Sequence, residues 1–306
     1  MRLLELFSGT HSIGIVAEKM DYDVVSLDRD LGAKSKLYDY ESKNHIKADI
    51  MTWDYKKDYK RGDFDIITAS PVCLFWSRLR FTWIGRKSKT INPDGSIVKK
   101  EDLQRDIDLY GKPMVDKCFE IIEYFKPKYW WLENPQTGLM KDYIKESWQQ
   151  YNTFYDVDYC KYSNWGYMKK TRFWTNIKGF KPKLCKMDCE NVITIKTQEG
   201  AKHSGTGKPI KSETRTLHKN PLGDAKKAVD KKIHKVNLSN GYEMIDGKMT
   251  VCNTKEKREK LREIKKKDPT RHKKRVSDVG GGSNRLERYR IPAKLIEELL
   301  ENCQNV

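Results

Sequence analysis

Two short turns in this 306-residue chain carry side chains able to do covalent and proton-transfer chemistry. The first is Ala69-Ser70-Pro71-Val72-Cys73-Leu74-Phe75-Trp76-Ser77. A thiol on a loop just past a buried strand serves as a nucleophile where basic surroundings lower its pKa, whereas the same cysteine read alone is a small buried hydrophobe. The second turn is Trp130-Trp131-Leu132-Glu133-Asn134-Pro135. A partly buried Glu133 can hold or share a proton with a ring nitrogen; Glu-Asn-Pro also serves simply to form a turn or cap a helix.

Three further turns offer binding rather than bond-making groups. In Glu5-Leu6-Phe7-Ser8-Gly9-Thr10-His11-Ser12-Ile13-Gly14 a strand runs into glycines and then a helix. Glycine lets the backbone approach a ligand closely and a helix start favours polar or anionic groups, although a tight strand-to-helix turn needs glycine with or without a ligand. Asp28 follows a strand, where an acid can grip ribose hydroxyls or stand as a solvated loop residue. Asp49, in Ala48-Asp49-Ile50, can aim a carboxylate at an exocyclic amine or cap a helix.

The elements that must position these groups alternate in type. Residues 3–7, 23–27, 65–69 and 129–132 are short apolar runs, each closed by a polar or glycine-bearing turn. Between them lie helix-compatible stretches at 12–19 and 114–125, the latter with Met114, Val115, Cys118, Ile121, Ile122 and Phe125 at helical spacing and Pro127 as its stop. Strands alternating with helices predict an α/β fold with a mostly parallel sheet and right-handed crossovers. Ligands in such sheets bind at the carboxyl ends of the strands, so the turns above should share one edge.

Residues 181–283 differ in kind. They are rich in Lys, Gly, Asn and Thr, their apolar periodicity is weak, and residues 251–280 hold twelve Lys and Arg against five Asp and Glu. Gly280-Gly281-Gly282-Ser283 reads as a hinge, and the stretch 291–300 reads as an amphipathic helix opened by Pro292. The net charge of +18 favours an anionic partner through counterion release, with nucleic acid first and a merely soluble basic protein second. No stretch reaches the roughly 18 apolar residues of a membrane span, and the start lacks a signal peptide's apolar core. The expectation is an intracellular protein with no membrane partner. Its seven cysteines, an odd number, read as reduced thiols. Cys185 and Cys189, with His203 and Cys252 downstream, suggest a zinc-bearing module, but their spacing matches no standard zinc pattern, and no metal is assigned.

Together and in this order, the turns resemble the cytosine-C5 DNA methyltransferases, and the spelling is closest to phage or viral members. The match spans roughly residues 1–178 and, faintly, 284–306. Phe7-Ser8-Gly9 resembles the family's cofactor glycine motif. Asp28 and Asp49 fall where its ribose-binding and adenine-contacting acids lie. Ser70-Pro71-Val72-Cys73 resembles the Ser-Pro-Pro-Cys nucleophile loop, and Glu133-Asn134-Pro135 the Glu-Asn-Val motif. Residues 159–174 resemble the strand whose basic side chains steady that loop, with Lys170 and Arg172 as counterparts. Val72 and Leu74 replace a proline and a glutamine, the Gln-x-Arg-x-Arg pattern is reduced to Lys169-Lys170-Thr171-Arg172, and Asn284 is the candidate for the final Asn motif.

The resemblance implies a Rossmann-like, class I S-adenosylmethionine-dependent methyltransferase fold. Its catalytic domain would span 1–178, a basic target-recognition region 179–283, and a returning helix 284–306. It implies Cys73, Glu133, Lys170 and Arg172 as catalytic residues, and Phe7, Gly9, Asp28, Asp49, Pro71 and Asn284 as contacts to S-adenosylmethionine. The implied reaction is methylation of carbon 5 of a cytosine flipped out of double-stranded DNA, through a covalent Cys73 intermediate, by a monomer. The alternatives are the same chemistry on tRNA, or a catalytically inactive homologue that binds nucleic acid. The cell compartment follows the source: bacterial or phage-host cytoplasm, or nucleus or cytosol for a eukaryote or its virus.

Overall fold

The computed structural model describes residues 1–196, 214–218, 242–245, 248–251, 286 and 289–304. The chain divides into two compact units, each described by itself. The first comprises Met1–Tyr162, Lys169–Leu184 and Tyr289–Val306, the second Ser163–Met168 and Cys185–Arg288.

The first unit is built on a seven-stranded sheet. Its strands are β1 (Arg2–Leu6), β2 (Asp23–Asp28), β3 (Asn44–Lys47), β4 (Ile66–Ala69), β5 (Tyr129–Pro135), β6 (Phe154–Asp158) and β7 (Lys170–Thr175). They lie in the order β3-β2-β1-β4-β5-β7-β6. The first five pair in parallel, and β7 runs antiparallel to both β5 and β6. This is the mostly parallel sheet that the alternating pattern predicts, in the Rossmann-like form that the resemblance implies. Leu3, Leu4, Leu6, Val24, Val25, Leu27, Ile66 and Ile67 are all buried, so the central strands are largely apolar, with both faces covered, and each carries one buried polar residue: Glu5, Ser26 and Thr68.

Helix α1 (Ser12–Lys19) follows β1 directly. Helix α2 (Lys112–Phe125) crosses from β4 to β5 and buries Val115, Cys118, Phe119, Ile121, Ile122 and Phe125, with Pro in its first turn and Lys126 ending it in the left-handed region at φ 49°. Each such buried apolar side chain contributes about 1.5–3 kcal/mol relative to exposure. The C-terminal helix Ala293–Gln304 buries Leu295, Ile296, Leu299, Leu300 and Cys303 and packs on α1. Tyr22 Oη donates to its Leu300 carbonyl (3.4 Å).

One expectation is corrected. Residues 159–174 are not one strand: β6 ends at Asp158, a 3-10 turn spans Tyr159–Lys161, and β7 starts at Lys170. The edge strand β3, half polar in sequence, escapes an apolar-run search. The segment that follows β7 stays with the first unit as far as Leu184: Asp158 N–H donates to the Lys183 carbonyl (3.1 Å) and Lys183 N–H donates to Tyr162 Oη (2.9 Å). The Gly280–Gly282 hinge lies outside the described residues.

In the second unit, β8 (Val192–Lys196) pairs antiparallel with β9 (Thr214–His218), and β10 (Tyr242–Ile245) with β11 (Lys248–Val251).

Candidate active site

The parallel strands β2, β1, β4 and β5 are neighbours pointing the same way, so their carboxyl ends and the turns that follow form one edge. Two cavities open there, of about 270 Å³ and about 540 Å³. Phe7, Asp28, Asp30, Val72 and Leu74 line both.

The Phe7-Ser8-Gly9 turn is made by backbone that ordinary residues avoid. Phe7 lies at φ 59° and Gly9 at φ 51°, so Phe7 carries local strain of the kind that concentrates at ligand sites. The turn is tied to the next one through Asp28. Gly9 N–H donates to Asp28 Oδ2 (3.0 Å), while the N–H groups of Asp30 and Leu31 donate to Oδ1 (2.9 and 2.8 Å). Three backbone donors fix this carboxylate at the wall shared by the cavities, and it retains acceptor capacity for hydroxyls. Asp49 lines the larger cavity, its carboxylate accepting from Met51 N–H (3.0 Å) and pairing with Arg29 (3.4 Å).

Beneath the smaller cavity sits Glu5. It is buried, accepts from Ser26 Oγ (3.1 Å) and Ile13 N–H (3.2 Å), and burial pushes its pKa up to about 8. A carboxyl in this state is protonated at neutral pH and can donate as well as accept.

Cys73 and Glu133 face the same cavity. They are linked by backbone as well. Asn134 is 1% exposed, and its Nδ2 donates to the Pro71 carbonyl (2.9 Å). Leu139 N–H donates to the Trp76 carbonyl (2.8 Å). The end of β5 and the segment after it therefore grip the thiol-bearing loop on both sides of Cys73. Gly138 makes this approach possible: a Cβ there would lie 3.2 Å from the Pro135 carbonyl oxygen and 3.3 Å from that of Trp76.

Glu133 is 6% exposed, and both its side-chain partners address Oε1. Tyr159 Oη donates at 3.0 Å and Lys169 Nζ at 3.3 Å. Lys169 also lies over the Tyr159 ring, with Nζ 4.8 Å from its centroid. The surroundings of Cys73 differ from the expectation of a lowered pKa. Burial raises the thiol above its ordinary value, Lys169 pulls it down, and Glu133 pushes it up. Desolvation of the thiolate outweighs the single ammonium group.

Of the residues singled out in the sequence, Phe7, Gly9, Asp28, Pro71, Cys73 and Glu133 line the smaller cavity, and Asp49 lines the larger with Phe7 and Asp28. Lys170 and Arg172 are not brought to them. Lys170 is exposed, while Arg172 pairs with Asp156 (2.7 and 2.8 Å) and lies over Phe154 at 3.5 Å from the ring centroid. Asn284 lies outside the described residues. Lys169, one residue before β7, is the cation that reaches Glu133. Its sequence signal is the same degraded basic motif, Lys169-Lys170-Thr171-Arg172.

No family model matches the chain. It is similar to a curated protein of Frog virus 3 (isolate Goorha) named "Probable DNA (cytosine-5)-methyltransferase". The two are 40% identical over 195 residues, which cover 63% of this chain and 79% of the viral protein. Among solved structures, a triple mutant of Spodoptera frugiperda DNMT2 aligns at 14% identity with a TM-score of 0.36, over 60% of this chain and 53% of that one.

Proposed function

Because the chain belongs to the DNA (cytosine-5)-methyltransferases, we propose that it methylates carbon 5 of cytosine in double-stranded DNA through a covalent bond to Cys73. The observation that carries this reading is the shared cavity, where the Cys73 thiol and the Glu133 carboxyl meet beside the Asp28 carboxylate.

The residues present fit S-adenosylmethionine. Asp28, held by three backbone N–H groups, would take the ribose hydroxyls, and Asp49 in the larger cavity the adenine amine. Phe7 lines both cavities and would pack between those subsites. Bound there, S-adenosylmethionine supplies an electrophilic methyl group for carbon 5.

The chain's own residues activate the base. Cys73 Sγ, as thiolate, adds to carbon 6 of the cytosine, and the electron pair of the 5,6 double bond makes carbon 5 nucleophilic. Glu133 holds the proton on the neighbouring ring nitrogen, which favours that addition. With Oε1 engaged by Tyr159 and Lys169, Oε2 is the oxygen left for the ring. After methylation, carbon 5 gives up its proton to a base, the Cys73–carbon 6 bond breaks, and aromaticity returns. A cytosine stacked in a duplex cannot reach this cavity, so it must be flipped out. The net charge of +18 supplies the counterion-release attraction for the strand. Among the described residues no helix is long and apolar enough to cross a membrane.

Transfer of labelled methyl to duplex DNA and to tRNA by wild type and Cys73→Ser tests the reading. Duplex DNA should be the substrate. The variant should bind S-adenosylmethionine as wild type does yet lose transfer by roughly 10³-fold or more. Near-normal transfer by the variant removes Cys73 from the mechanism, and preference for tRNA reassigns the substrate.

A further inference from the structure

The second unit gathers three soft and borderline donors that the proposed reaction does not use. Cys185 and Cys189 stand just before β8, where Val192 N–H donates to the Cys189 carbonyl (3.1 Å). Val192 is the register partner of His218, the last residue of β9. The hairpin thus folds a histidine 29 residues downstream of Cys189 back against the two thiols. His218 is buried. Its Nε2 lies 3.6 Å from Cys185 Sγ and 3.3 Å from Cys189 Sγ. All three donor atoms fall within 4.8 Å of one another.

We propose that Cys185, Cys189 and His218 bind a structural zinc ion. A tetrahedral centre with Zn–S of about 2.3 Å and Zn–N of about 2.0–2.1 Å has S···N edges of about 3.6 Å. The two observed separations lie at or just under that edge. A thiol–imidazole hydrogen bond explains one such contact; two thiols converging on the same ring nitrogen is the arrangement of ligands around a common centre. Residues 181–283 also lack the apolar periodicity of a large core, and a small unit of this kind gains its fold from a metal staple. The zinc would clamp the start of β8 to the end of β9. This revises the absence of an assigned metal in the sequence reading and names a different histidine. His203 and Cys252, considered there, lie outside the described residues.

The test is metal analysis of the full chain purified under reducing conditions without added zinc or chelator. One zinc per chain is expected, with Cys73→Ser keeping it and Cys185→Ser, Cys189→Ser and His218→Ala each losing most of it. Alkylation of the wild type read by peptide mass spectrometry guards against variants that fail to fold. Cys185 and Cys189 should resist N-ethylmaleimide until a chelator is added. Metal-free wild-type protein whose Cys185 and Cys189 react at once, or are found joined as a disulfide, overturns the proposal. In cobalt-substituted protein, the thiolate-to-metal absorption should report at least two sulfur ligands; its absence counts against the site.

Discussion

The two units hold polar side chains in place by different means. In the first, a buried parallel sheet sets every position: Asp28, Cys73 and Glu133 stand at or just past the ends of β2, β4 and β5, and hydrogen bonds between the following turns lock them together. In the second, a two-stranded ladder brings Cys185, Cys189 and His218 together. A large core can afford a buried carboxyl such as Glu5 and a strained Phe7, because the rest of the sheet over-determines them. A short hairpin has no such reserve and needs a local clamp. The contrast predicts that substitutions at the sheet edge change chemistry with little loss of fold, whereas substitutions in the Cys185–His218 cluster change fold with little effect on cofactor binding.

The largest effect expected at the edge, after loss of the thiol itself, is from Glu133→Gln. It keeps the shape and removes the carboxylate, so kcat should fall about 10²–10³-fold while the melting temperature changes little. Unchanged kcat would detach Glu133 from the chemistry. Asn134→Ala comes next. It leaves the buried Pro71 carbonyl without its donor, at a cost of about 1–3 kcal/mol in denaturant unfolding, and loosens the loop carrying Cys73. Lys169→Met should move the pH profile of Cys73 alkylation upward, because Lys169 draws the thiol's pKa down. A profile that stays in place or moves downward would show that Lys169 does not act on the thiol.

Glu5→Gln tests the reserve of the sheet. The carboxyl of Glu5 is raised from about 4.5 to about 8 by burial. The folded state therefore binds more protons than the unfolded state across that window. Wild-type stability should be full below pH 4.5 as far as Glu5 is concerned, and fall as pH rises toward 8, by at most about 1.4 kcal/mol per unit. The glutamine variant should flatten that slope; an identical slope in both proteins would place the titration elsewhere. The smallest effect sharpens the contrast from the other side: Cys189→Ser should leave S-adenosylmethionine affinity within about twofold of wild type.

Much of the first unit was legible before any coordinates because a buried parallel strand and its closing turn are local in sequence. Leu3, Leu4, Leu6, Val24, Val25, Leu27 and Trp130–Leu132 are buried on strands covered on both faces, and the residues at the strand ends follow directly. What the sequence hid depends on register. Lys169, Lys170 and Arg172 are near-equivalent as residues. Only the antiparallel pairing of β7 with β5 and β6 sends Arg172 to Asp156 and leaves Lys169 at Glu133. The raised thiol pKa was equally hidden, since burial is a property of the fold and the neighbouring basic residues suggested the opposite sign. His218 was out of reach for the same reason: nothing but the β8–β9 ladder places it beside Cys185 and Cys189.

The central claim is that the Cys73 thiol adds to a cytosine held against Glu133. Duplex DNA carrying 5-fluorocytosine at the target position tests it directly, because fluorine cannot leave carbon 5 as the proton does and the covalent intermediate persists. Incubated with S-adenosylmethionine and read by intact mass and peptide mapping, wild type should carry one DNA adduct on Cys73, and Cys73→Ser none. An adduct that survives in Cys73→Ser, or wild-type methylation of ordinary cytosine with no trapped species on the fluorinated base, would contradict the account.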